Sequence, residues 1–103
     1  MRITYSDGVF EELVNLSAFI AQGSEPAAND FLDACDAAFK LLAEQPLIGT
    51  HKHFDNSDLA EVRMWRVKGF SSYLIFYIPT KDGIYVLHVI HSAQDYNRVF
   101  EDE

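Results

Sequence analysis

The sequence predicts an α+β fold, an N-terminal αα-hairpin packed on a small antiparallel β-sheet. Three observations predict it. Apolar residues recur at helical spacing up to about residue 45. A polar stretch, 46–60, follows with no sustained period. From residue 61 onward, bulky and β-branched residues alternate or run together as they do in strands. The chain has 103 residues, 49% of them hydrophobic and 14% aromatic. That is enough apolar matter for one domain, spanning 1–103, with its own core.

The first helix is predicted from Asp7 to Gln22. Phe10, Leu13, Val14, Ser17 and Ile20 mark its inner face,. Ser6 or Asp7 is the candidate N-cap, and Glu11 and Glu12 sit where the helix dipole favours negative charge. Gly23 is the expected stop, through a left-handed conformation. The second helix starts at Ser24, with Pro26 in its first turn, where a missing N–H costs little. Ala28, Phe31, Leu32, Cys35, Ala38, Phe39 and Leu42 form its apolar face. It ends before Pro46, which disfavours helical geometry at Gln45.

Residues 46–60 read as a loop. Residues 61–67 then alternate bulky and charged types. Residues 73–78 are almost wholly apolar, as in a central strand covered on both faces. Pro79 ends that strand. Lys81-Asp82-Gly83 reads as a hairpin turn with Gly83 left-handed. Residues 84–91 form the next strand, and Asp95 to Glu103 read as a short helix or a tail.

The net charge is −8, which argues against partners held mainly through phosphates, whether nucleic acid or an anionic membrane. The acid is unevenly spread. Residues 1–46 hold only Arg2 and Lys40 against eight carboxylates. Residues 61–91 hold Arg63, Arg66, Lys68 and Lys81 against Glu61 and Asp82, the one net basic block. The single Cys35 excludes an intrachain disulfide and a thiol cluster. The first residues lack the apolar region of a signal peptide, and no run reaches membrane length. A soluble cytoplasmic protein is the expectation.

Few residues point to chemistry. No Gly-rich phosphate loop, nucleophile elbow or paired-carboxylate arrangement is present, so no cofactor is expected. His51 and His53 lie in the loop, without the fixed geometry of a metal site. His88 and His91 are three apart on one strand, hence on opposite faces, with His88 beside Val86 and Ile90. Tyr73, Phe76 and Tyr77 read as core. Arg66 and Lys68 share a strand face, close enough to engage one anionic group, and Arg63 alternates away from them.

The order of elements, together with several segments, resembles the ParE/RelE superfamily of toxins from type II toxin–antitoxin systems. The nearest likeness is to its ParE-like, plasmid-stabilisation branch. Residues 27–34 followed by Leu41-Leu42-Ala43-Glu44-Gln45-Pro46-Leu47-Ile48-Gly49 resemble the family's second helix and its "LA-x-x-P-x-I-G" ending. Arg63-x-x-Arg66-Val67-x-Gly69-Phe70 and Tyr73-Leu74-Ile75-Phe76-Tyr77 come next. Residues 86–95, VLHVIHSAQD, resemble the signature "VLRVLHGARD".

The resemblance implies a small toxin neutralised by a cognate antitoxin in a hetero-oligomer. In ParE-like members the target is DNA gyrase, inhibited by protein binding. In RelE-like members the activity is ribosome-dependent mRNA cleavage. A non-toxic, degenerate binding module is the third reading. The nuclease chemistry needs phosphate-stabilising cations and a proton donor or acceptor. Arg66-x-Lys68 matches its basic pair. Leu74 and Gln94 stand where arginines are common, His88 replaces the signature arginine, and Phe100 falls near the expected tyrosine. Binding without catalysis is therefore the expectation. The candidate functional face comprises Arg63, Arg66, Lys68, His88, His91, Gln94 and Asp95.

Overall fold

The computed structural model describes residues 1–101. The elements run β1 (Arg2–Tyr5), α1 (Val9–Ala21), α2 (Glu25–Glu44), β2 (Thr50–His51), a 3-10 turn (Ser57–Leu59), β3 (Arg63–Val67), β4 (Phe70–Pro79), β5 (Gly83–His91) and α3 (Tyr96–Glu101). The α+β fold is as the sequence predicts: a helical hairpin lies on a sheet and a short helix follows it. Of the predicted terminal segment, Asp102 and Glu103 lie outside the described residues.

The strand order is β1-β5-β4-β3-β2. β2 to β5 are antiparallel neighbours. β1 is an additional strand, parallel to β5, which makes the sheet mixed. Four residues are too short a run to show a period, so only the pairing partner reveals this strand. Gly83 has a different role from the predicted one. Gly69 is the one glycine at positive φ among the described residues. A Cβ on Gly83 would lie 1.8 Å from the Arg2 carbonyl oxygen. Close approach of β1, and not turn geometry, therefore requires glycine there.

The helix ends also shift. α1 begins at Val9, with Gly8 as N-cap and no side-chain cap. Ser6 does not cap it; its hydroxyl reaches β5 and donates to the Leu87 carbonyl at 2.6 Å. Gln22 closes α1 in right-handed geometry, and Gly23 donates to Ile20 without reversing φ. The inner face of α1 is Val9, Leu13, Leu16 and Ile20, while Phe10 and Val14 stay exposed. α2 follows its predicted pattern except at Leu32, which points outward and is 39% exposed. The Ser24 side chain accepts from Ala27 N–H, and Ala28, Phe31, Cys35, Ala38, Phe39 and Leu42 are buried.

Two apolar layers sandwich the sheet. On the helical side, Tyr73, Ile75 and Tyr77 of β4 join Ile84, Val86 and Val89 of β5 and the inner faces of both helices. On the other side, Leu74, Phe76, Leu87 and Ile90 meet Leu59, Val62 and Phe100. Every residue from Tyr73 to Tyr77 is buried. This is the two-faced burial that an unbroken apolar run predicts. Each fully buried large side chain contributes about 1.5–3 kcal/mol.

Candidate functional site

β4 is antiparallel to both its neighbours, so the C-terminal ends of β3 and β5 lie at one end of the sheet. Arg66, Lys68, His91 and Gln94 belong to that end. Arg63 and His88 lie further along, in the rows of Tyr77 and Phe76. Asp95 leads into α3. The seven candidates occupy both faces of the sheet and do not converge on one point.

Arg63 faces the helical side. Its Nη1 donates to the carbonyls of Leu47 (3.0 Å) and Gly49 (2.8 Å). The Tyr77 hydroxyl donates to the Pro46 carbonyl (2.7 Å) and accepts from Gly49 N–H (2.9 Å). A Cβ on Gly49 would stand 2.4 Å from that hydroxyl oxygen. The Pro-x-x-Gly ending is thus a loop clamped by two strand side chains. Burial raises the Tyr77 phenol above its ordinary value, and the Gly49 N–H and the Arg63 cation oppose that rise.

Arg66 is exposed on the opposite face, and its Nη1 donates to the Ser71 carbonyl at 2.7 Å. Lys68 is not on the strand. It sits in the Lys68-Gly69 turn, because the β3–β4 register shifts after Arg66 and Gly69 takes φ +82°. The shared strand face predicted for Arg66 and Lys68 therefore does not form.

His88 also departs from simple alternation. The β4–β5 register shifts between Phe76 and Tyr77, so Leu87 is the extra residue of a bulge,. His88 consequently stands on the face of Leu87 and Ile90, not of Val86, with its ring 5.0 Å from Phe100. Its Nδ1 lies 2.8 Å from Glu12 Oε2. Glu12 Oε1 accepts from the Val89 N–H at 3.0 Å. β1 pairs with β5 only as far as Val86. The Glu12 carboxylate thus satisfies the edge of β5 just past the end of β1. Position in the first turn of α1 signals Glu12 only as a dipole partner. Its contact with β5 is 77 residues away and leaves no local pattern.

His91 lies on the helical side, edge-on to Tyr73 at 5.0 Å. Its Nδ1 accepts from Ala93 N–H, which places any neutral-ring proton on Nε2,. Gln94 Oε1 accepts from His91 N–H, and Asp95 Oδ1 accepts from Arg98 N–H at 3.4 Å. These three residues stop β5 and start α3.

The loop carries structure that the sequence does not announce. His51 lies on β2, and its Nε2 lies 2.6 Å from the Ala60 carbonyl. Its ring packs edge-on to His53. Among the described residues no three His, Cys, Asp or Glu side chains are grouped to hold a metal ion. None of their helices is long and apolar enough to cross a membrane. Tyr73, Phe76 and Tyr77 are core.

The model of the family described as "ParE toxin of type II toxin-antitoxin system, parDE" matches residues 3–96, from β1 to the first residue of α3. The chain belongs to the ParE toxin family. A comparison with curated proteins gives no match. Membership makes the chain a toxin of the type II toxin–antitoxin class and implies an antitoxin as its partner. The ParE-family match spans the Tyr77–Arg63 clamp, Glu12 and all seven candidate residues.

Proposed function

We propose that the protein inhibits DNA gyrase by protein binding and that a cognate antitoxin neutralises it. The observation that supports binding over catalysis is the dispersal of the candidate face. Arg63 and Gln94 are engaged with main chain, and Arg66 and His91 partly so. Leu74 and Phe100, at positions where the nuclease branch carries polar groups, are buried in the second apolar layer. Among the described residues no proton donor and phosphate-binding cation converge there on a single bond.

The antitoxin covers the surfaces that the fold leaves apolar. Phe10 and Val14 on α1 and Leu32 on α2 are exposed. An open groove of about 390 Å³ between the helices is lined by Ser17, Ala18, Ala21, Glu25, Ala28 and Asn29. The acidic hairpin favours an amphipathic helix with a basic face.

The deciding experiment adds purified, antitoxin-free protein to a gyrase supercoiling assay. Inhibition, with DNA-damage signalling on induced expression, is expected. Unimpaired supercoiling overturns the reading. Codon-linked transcript cleavage that Arg66→Ala abolishes would install the ribosome-dependent nuclease instead. Harmless expression with tight antitoxin binding would leave a binding module.

A further inference from the structure

β3 is longer than the strand that covers it. Only Met64 and Arg63 pair with β2, through Thr50 and His51. Lys52 N–H donates to the Val62 carbonyl. Alternation then turns the main-chain groups of Met64 and Arg66 toward the same side. β2 does not continue beyond Thr50: in this register Ile48 would pair with Arg66, but its N–H donates to the Gln45 carbonyl at 3.2 Å. The main chain of Arg66 therefore lies on an edge with no strand beside it. An open groove of about 250 Å³ runs along that edge, lined by Thr50, Met64, Trp65 and Arg66.

The charge at this edge is also unsatisfied. Among the described residues the ion pairs are Lys40 with Asp36 and His88 with Glu12. Among the described residues Arg66 and Lys68 have no carboxylate partner, although the chain carries 16 Asp and Glu against 8 Lys and Arg. Arg66 gives one N–H to the Ser71 carbonyl, and the rest of its fork is open to a ligand.

We propose that this edge of β3 binds an extended, carboxylate-bearing peptide segment, added in line with β2. Its main chain pairs with Arg66, an apolar side chain packs beside Trp65 on the helical side, and on the opposite face its carboxylates meet the Arg66 fork, with Lys68 in the adjoining turn,. A single-stranded nucleic acid fits less well. Trp65 packs against the helical core and offers no free platform for stacking, whereas the outward peptide group of Arg66 suits a strand,. The proposal names the partner chemistry of one part of the candidate face and does not need gyrase as the target. The supercoiling assay can fail while this binding stands.

The test is an NMR titration of the full chain with two short synthetic peptides, one alternating valine with glutamate and one alternating valine with lysine. The acidic peptide is expected to bind roughly tenfold tighter at low salt, weakening as salt rises. Its shifts should centre on the amides of Met64, Trp65 and Arg66. Arg66→Gln combined with Lys68→Gln, both at exposed positions, should cost roughly tenfold in affinity with thermal stability retained. Equal binding of the two peptides, no binding, unchanged affinity in the double variant, or shifts centred on Ile3 and Tyr5 each overturn the proposal. So does tighter binding by a short oligouridylate that displaces the peptide.

Discussion

Glu12 joins two distant parts of the chain through one carboxylate, with one oxygen on Val89 N–H and the other on His88. Replacing it separates two contributions. Glu12→Ala leaves a half-buried N–H unpaired and should cost about 1.5–3 kcal/mol. Glu12→Gln keeps an acceptor for that N–H and should cost less than half as much. Urea unfolding of the two variants checks this, and equal losses would show that the Val89 bond contributes little. Cys35 supplies a second test. Burial pushes its thiol from 9.0 up to about 12. The unfolded chain therefore loses this proton first as pH rises. The thiol's contribution to stability is full below pH 9 and is lost as pH climbs toward 12,. Burial raises Tyr77 in the same sense. Cys35→Ala should flatten the alkaline fall in unfolding free energy, and an unchanged slope would assign that fall to the tyrosines.

At the scale of elements, the strands depend on places where backbone replaces side chain. β1 lies so close to β5 that Gly83 has no room for a methyl group, with the Arg2 oxygen 1.8 Å from its Cβ position. Gly83→Ala should displace β1. Hydrogen exchange at Arg2 and Ser6, whose N–H groups bond to Asp82 and Val86, should accelerate roughly tenfold or more. Retained protection would mean that the sheet yields elsewhere. Helix α2 was legible in the sequence because capping, Pro26 and a six-residue buried stripe agree with each other. The start of α1 was less legible. Ser6 carries the right hydroxyl for a cap, yet that hydroxyl is turned to the distant Leu87 carbonyl and the helix starts at Val9 instead. The bulge at Leu87 was not legible at all, because an apolar strand buried on both faces gives no polar residue to mark a change of phase.

Across the whole molecule, the sheet is a septum between two cores of unequal cover. The helical hairpin shields one face, and the 3-10 turn with α3 shields the other. Phe100 links the second cover to Phe76, Phe54 and His88 through ring contacts of about 5 Å. Phe100→Ala should cost about 3–5 kcal/mol and expose Leu74 and Phe76. Denaturant unfolding and hydrophobic-dye binding measure both effects, and a loss below about 1 kcal/mol would show that α3 adds little. The sequence alone determined the α+β class, the hairpin, the two-faced β4, the acidic helices and the likeness to ParE toxins. Each is written in local periodicity, composition or contiguous motif. The tertiary structure alone decided the parallel β1, the role of Gly83, the Glu12 contact with β5, the clamp on residues 46–49 and the dispersal of the candidate face. Each of these is a meeting of residues far apart in the chain, fixed by backbone hydrogen-bond demand and close packing.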